Sequence, residues 1–416
     1  MKTKALRLYG KSDLRLEEFE LPQIKDDEIL AKIVSDSICM SSYKAAIQGG
    51  DHKRVPDNVS ENPIIIGHEF CGEIVEVGKK WQNEWKAGDR FSIQPAMNYK
   101  GSLEAPGYSY NYIGGQATYV IIPHEVMETG CLLHYDGDAF FYGSLAEPMS
   151  CIVGGFHAQY HTKNGSYVHQ MEIKEGGNMA ILAGAGPMGM GCIDYAIHGN
   201  IKPAKLVVTD IDDARLQRAA NILTVEEAKA NGVELMYVNT SDKTEKDLMD
   251  MVGGGFDDVF VYAPVKPVVE MADRILGKDG CLNFFAGPTN PEFKAEFNFY
   301  NVHYGSTHIV GTSGGNTDDM KESLRMMEAG KLNPAAMITH IGGIDSAAET
   351  TLNLPNIKGG KKLIYTHISM PLTAIEDFKE LGKTNELFKN LDEICTRHNG
   401  LWNAEAEKYL LENINK

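Results

Sequence analysis

The 416-residue sequence contains no Cys-x-x-Cys pair, no internal repeat and no low-complexity stretch. No apolar run approaches the roughly 20 residues that span a bilayer. Its seven cysteines lie far apart, at 39, 71, 131, 151, 192, 281 and 395, so neither a disulfide framework nor a local zinc knuckle organises the chain. Each thiol reads as a small buried hydrophobe unless its surroundings promote it to a ligand. Basic residues are few beside acidic ones, 40 against 57, for a formal charge of −17. Such a surface repels phosphate backbones and anionic lipid, which argues against nucleic-acid and membrane partners. The opening Met1-Lys2-Thr3-Lys4-Ala5-Leu6-Arg7 lacks the apolar core of a signal peptide, so the expected location is the cytoplasm. Disorder is excluded by a charged fraction of only 23% and by 42 glycines spread along the chain instead of clustering in a linker.

What is present divides into three stretches. Residues 1–150 alternate short apolar runs with Gly and Pro, as in Ile64-Ile65-Ile66-Gly67 and Glu73-Ile74-Val75-Glu76-Val77-Gly78, and read as a β-rich, barrel-like domain. Over 151–309, strand patterns at 179–183, 205–209, 258–262 and 282–285 alternate with helix-like stretches such as 214–223. This is the βαβ rhythm of a doubly wound parallel sheet. From 310 to 416 helical patterns prevail, notably 318–329 and a tail over 375–414, and this stretch is expected to return to the first domain and end in a helical extension.

The sharpest local signal is Gly184-Ala185-Gly186-Pro187-Met188-Gly189 directly after Met179-Ala180-Ile181-Leu182-Ala183. A Gly-x-Gly-x-x-Gly turn leaving a strand and opening a helix offers free backbone N–H groups to a pyrophosphate. The next apolar strand ends in Asp210, 21 residues after Gly189, the separation expected of a carboxylate that grips the ribose hydroxyls. Asp210 would repel a 2′-phosphate, so NAD(H) is favoured over NADP(H); nearby Arg215 works against that preference.

A second grouping is scattered along the chain. Gly67-His68-Glu69 follows an apolar strand, Cys39 lies upstream, and Glu147-Pro148 precedes the βαβ stretch. A Cys, a His and a carboxylate with one coordination position left open suit a catalytic zinc. The spacing is no local motif, and each residue has a plain alternative: a core thiol for Cys39, a hydrogen-bonded imidazole for His68, a helix-terminal carboxylate for Glu147.

The order Cys39-Met40-Ser41, Gly67-His68-Glu69 with Gly72, Gly88-Asp89-Arg90, Glu147-Pro148, Gly184 to Gly189, Asp210, Gly311 to Gly314 and Met337 to His340 resembles the zinc-dependent medium-chain dehydrogenases, and Glu147 resembles their polyol branch. The resemblance covers residues 1 to about 345. It implies a GroES-like catalytic domain joined to a Rossmann domain, and one catalytic zinc held by Cys39, His68 and Glu147, with Glu69 as the alternative carboxylate. It also implies Ser41 as proton relay and a homodimer or homotetramer.

The chain departs from that family in four places. Residues 95–116 contain no cysteine where the family carries a four-Cys lobe, so no structural zinc is expected. Ser42 stands in place of an Asp that supports the metal site, Lys44 in place of a relay His, and the tail beyond 370 is additional. The Cys39 to Lys44 variant, the start of the chain and the tail are together similar to a branch reducing ketose 1-phosphates. A phosphate needs a local cationic holder, and Lys53 and Arg54 are the candidates. Lys361-Lys362 reads instead as an exposed element end. The expected function is hydride transfer between a nicotinamide cofactor and a ketose phosphate or polyol phosphate. The alternatives are a dehydrogenase of unphosphorylated sugar alcohols and a non-catalytic nucleotide-binding relic.

Overall fold

The strand Ile29–Ile38 is buried at every position but Lys32, as its almost unbroken apolar and small-residue sequence requires. It organises the first of two units in a computed structural model that describes residues 1–163 and 166–414. That unit comprises Met1–Pro148, Asn316–Glu328 and Ile338–Lys416. Its main sheet runs Thr373–Ala374, Ile338–Gly343, Lys361–Tyr365, Ile29–Ile38, Phe70–Val77, Arg90–Ile93 and Leu132–His134, and Tyr119–Ile122 also pairs with Ile29–Ile38. A core of Ile29, Ile33, Phe70, Ile74, Phe91 and Val120 fills one face.

The register of this sheet creates the site. Ile38 pairs with Lys362 and Asp36 with Phe70. The residues just beyond these pairs, Cys39, Glu69 and Lys361, therefore emerge together at one end of three adjacent strands. Two of the strands involved, Ile338–Gly343 and Lys361–Tyr365, lie between the helical patterns at 318–329 and 375–414, where the sequence pattern marks no strand. Lys361–Tyr365 is buried at every position and Ile338–Gly343 at all but Thr339 and His340, so both lack the alternation that marks a half-exposed strand. Lys361 and Lys362 are accordingly buried, at 6% and 2% exposure, and not at an exposed element end. Lys362 Nζ donates to the carbonyls of Lys358 and Gly360 at 2.9 and 2.6 Å.

The second unit, Met149–Gly315 with Ala329–Met337, carries a six-stranded all-parallel sheet. Its spatial order is Glu234–Asn239, Lys205–Asp210, Asn178–Leu182, Phe256–Val261, Leu276–Phe284, His308–Val310. In sequence terms this is 3-2-1-4-5-6, the dinucleotide-binding order. The two strands without a clear sequence signal are the outermost: Glu234–Asn239 mixes polar and apolar residues, and His308–Val310 has only three.

The tail continues through helices Glu386–Arg397 and Ala404–Asn413. Trp402 is 1% exposed and its indole donates to Tyr365 Oη at 2.8 Å. Glu407, from the last helix, accepts from the backbone N–H groups of Phe140 and Phe141 at 2.6 and 2.9 Å and from Tyr365 Oη at 2.7 Å. It thereby caps the helix Phe140–Ala158, which carries Glu147. No helix among the described residues is long and apolar enough to cross a membrane.

Candidate functional site

Cys39 Sγ, one ring nitrogen of His68 and one carboxylate oxygen of Glu69 all lie within 4.8 Å of one another, the one such grouping of potential metal ligands among the described residues. Cys39 caps the helix Met40–Gln48, and two residues on Ser41 Oγ lies 3.4 Å from its sulfur. Ser42, one position further, places Oγ 3.2 Å from His68 Nδ1. The hydroxyl stands at the position for which the resemblance supplies an Asp and holds the imidazole at Nδ1, a contact of the kind that orients a metal-ligating histidine.

Glu69 is fully buried and pairs through both oxygens with Lys361 Nζ at 2.6 Å. Glu147 is also buried, at 7% exposure. Burial first, and then the charges of Glu69 and Cys39, push its carboxyl up to about 7 against the pull of His68. Burial pushes the His68 imidazole down, opposed by Glu147 and Glu69. Burial and Glu69 push the Cys39 thiol up. For Lys361, burial works against the charge, but Glu69, Cys39 and Glu147 outweigh it and hold the ammonium above the usual lysine range. Two carboxylates and a thiol thus share one buried cation. A divalent ion would relieve this excess of negative donors, and sulfur, imidazole and carboxylate within 4.8 Å of one another fit zinc.

Two residues of this neighbourhood have no signal in the sequence. Lys361 is hidden in a Lys-Lys pair on a buried strand. Tyr108 lies in the cysteine-free 95–116 segment, yet its hydroxyl is 3.2 Å from His68 Nε2 and its ring is 2% exposed. Of the cationic candidates, Arg54 has its guanidinium carbon 5.3 Å from the centre of the Tyr108 ring, whereas Lys53 is exposed. Lys44, on the Cys39-capped helix, is half-buried, and its charge acts on His52.

In the second unit the glycine-rich turn opens the helix Pro187–His198. A Cβ on Gly189 would come within 2.0 Å of the Gly184 carbonyl oxygen, while one on Gly186 would meet nothing within 4 Å. The turn is therefore closed on itself at Gly189 and open outward at Gly186, with Met188 on the first helical turn. Ala183, at the end of the strand, adopts a left-handed φ of 54°, a strain that the sequence does not announce. Asp210 is 7% exposed, and its carboxylate accepts from the Ala185 and Ile211 N–H groups at 3.3 and 2.8 Å. It is thus tied to the turn itself. Arg215 is exposed and lies 3.8 Å from Asp212.

A zinc-binding dehydrogenase family profile matches residues 187–329 and an alcohol dehydrogenase GroES-like domain profile matches 25–129. The chain is 55% identical over 415 residues to mannitol-1-phosphate 5-dehydrogenase of Aliivibrio fischeri, covering 99% of this chain and 97% of that one. It is 50% identical over 410 residues to L-sorbose 1-phosphate reductase of Klebsiella pneumoniae, covering 98% and 97%. Among solved structures, galactitol-1-phosphate dehydrogenase from Escherichia coli superimposes with a TM-score of 0.66 at 20% identity, covering 87% of this chain and 99% of that one.

Proposed function

Because the chain belongs to the zinc-binding dehydrogenase family, we propose that it interconverts a ketose phosphate and the corresponding polyol phosphate with a nicotinamide cofactor. The observation that carries this reading is the cluster of partly buried Cys39 with buried His68 and Glu69, placed beside the cationic Arg54 in a strongly acidic chain. Relatives of 50% and 55% identity carry the names of enzymes acting on sugar phosphates, which supports the same substrate class. Loss of the Asp after Ser41 is the one hint of a non-catalytic relic, and Ser42 supplies the missing support to His68.

When bound, zinc polarises the reacting carbonyl and the nicotinamide supplies or accepts the hydride. In this proposal Cys39 and His68 hold the metal. Its carboxylate ligand is Glu69, which reaches the other two donors, while Glu147 is the second carboxylate acting on the same imidazole. Ser41 exchanges a proton with the oxygen that becomes the hydroxyl. Lys44 adds positive potential, and Arg54 with Lys53 receives the phosphate. Gly184, Gly186, Met188 and Gly189 cradle the dinucleotide pyrophosphate, Asp210 holds the ribose so that NAD(H) is preferred over NADP(H), and Arg215 works against that preference. The proposed location is the cytoplasm. A homodimer or homotetramer is proposed through the edge strand His308–Val310, where Ile309 is 45% exposed and Phe299 and Tyr304 nearby are 75% and 66% exposed.

The test is a panel of ketoses and ketose phosphates, each offered with NADH and with NADPH and followed by absorbance. A clear preference for phosphorylated ketoses is the expected result. Equal rates with free and phosphorylated sugars would replace this reading with a dehydrogenase of unphosphorylated polyols.

A further inference from the structure

The 95–116 segment, free of cysteine, turns inward at Gly107. That residue has a left-handed φ of 79°, and a Cβ there would fall 2.0 Å from the Gly67 carbonyl oxygen and 3.1 Å from His68 Cβ. Only glycine allows the segment this close, and the contact delivers Tyr108 to the metal ligands. The Tyr108 ring lies parallel to His52, with centroids 5.7 Å apart and planes 10° off parallel, and 4.7 Å from the His68 ring. Arg54 lies against the same ring. Its backbone is fixed on both sides: Ser109 Oγ donates to the Arg54 carbonyl at 2.7 Å, and Arg54 N–H donates to His52 Nδ1 at 3.3 Å.

The guanidinium so fixed is incomplete. Arg54 Nε is buried without a hydrogen-bond partner, and among the described residues no carboxylate is ion-paired with Arg54. A buried donor of this kind is costly unless a ligand supplies the acceptor. The surroundings favour an anionic one. Burial, and then the charges of Arg54, Lys53 and Lys44, push the His52 imidazole down to about 4, the mark of a local positive potential in a chain of net charge −17. Asp51, adjacent to His52 in sequence, is paired with Lys11.

We propose that Tyr108 is a specificity-determining residue, whose ring holds the Arg54 guanidinium as a phosphate receptor beside the metal ligands and so selects a phosphorylated ketose over the free sugar. The inference rests on the sugar-phosphate reading above and adds the residue that enforces it. The ring and the hydroxyl have separate duties: the ring orients Arg54 through a cation–π contact, and the hydroxyl touches His68. Lys53, exposed to solvent, contributes charge but no fixed geometry.

The test compares wild type with Tyr108→Leu and Tyr108→Phe. It uses the ratio of specificity constants for L-sorbose 1-phosphate and L-sorbose, the inhibition constant of inorganic phosphate, and the phosphate-induced rise in Tm of the metal-free protein. Tyr108→Leu is expected to lower the ratio and weaken phosphate inhibition by about tenfold, between the scales of an exposed and a desolvated cation–π contact, and to abolish the Tm shift. Tyr108→Phe keeps the ring, and the ratio should stay within about twofold of wild type whatever happens to the common rate. Equal losses on both sugars in both variants would overturn the proposal, since the hydroxyl on His68 would then be what matters. An unchanged ratio in Tyr108→Leu, in a wild type that does discriminate, would overturn the proposal and leave the sugar-phosphate reading standing. A wild type that neither discriminates nor responds to phosphate would overturn both.

Discussion

Lys361 Nζ lies 2.6 Å from each carboxylate oxygen of Glu69, and the two side chains are 5% and 1% exposed. A carboxylate buried to this degree requires a partner, and this one has a lysine held by a strand on the far side of Ile29–Ile38. If Glu69 is also a metal ligand, Lys361 is the charge that keeps the site folded until the metal arrives.

Replacing Lys361 with Met should therefore destabilise the metal-free protein by roughly 3–5 kcal/mol, the usual consequence of stranding one member of a buried pair. Zinc should recover a large part of that loss, because the bound cation takes over the neutralisation of Glu69 and stabilises the state that binds it. Melting curves with and without added zinc decide the matter. A variant whose Tm is indifferent to zinc would mean that Glu69 serves the fold alone.

Cys39→Ser and His68→Ala should each lower zinc content and turnover by orders of magnitude while NADH affinity stays within about twofold. The reason lies in the two units: Cys39 and His68 belong to the first, and the turn from Gly184 to Gly189 to the second. Metal content by mass spectrometry and NADH binding by fluorescence give the two readings independently. Joint loss of both would show that the substitutions unfold the chain instead.

Much of this was legible in the sequence because it is local. The turn from Gly184 to Gly189 and the carboxylate at Asp210 follow strands whose continuous apolar runs betray them, and His68-Glu69 adjoins such a run. Lys361 and Tyr108 were not legible, because their significance comes from register and from a long-range approach. Lys361 matters because Lys362 pairs with Ile38, more than 300 positions away, and a Lys-Lys pair read alone looks like surface. Tyr108 matters because Gly107 lets one loop touch another. Ser42 lies between these cases: the sequence shows Ser where the resemblance supplies an Asp, but only the structure shows its 3.2 Å contact with His68 Nδ1.

Asp210→Ala should weaken NADH binding more than NADPH binding and shift the cofactor ratio toward NADPH. The carboxylate is buried at the strand end and tied to the Ala185 and Ile211 N–H groups, where it can accept from ribose hydroxyls but would repel a 2′-phosphate. Loss of a hydrogen bond to a charged group is worth about 1.5–3 kcal/mol, or roughly 10- to 150-fold in affinity. A wild-type enzyme already preferring NADPH strongly would show that Arg215, exposed nearby, governs the choice.

The C-terminal extension offers a prediction in pH. Burial pushes the Glu407 carboxyl from the ordinary 4.5 up to about 7, despite the hydrogen bonds from Tyr365, Phe140 and Phe141 that favour its ionised form. A carboxyl whose folded pKa exceeds its unfolded one binds its proton more tightly in the native state. Its stabilising contribution is therefore complete below about pH 4.5 and is lost as pH rises through about 7, by at most about 3 kcal/mol. Glu407→Gln cannot titrate, so the variant should gain on wild type as pH rises from 5 to 8, as read from urea unfolding at each pH. Parallel stability curves would mean that Glu407 is ionised throughout this range, with the helix start at Phe140 and the Tyr365 hydroxyl outweighing the cost of burial. In that case the tail would grip the Glu147-bearing helix through a permanent charge instead of a titrating one.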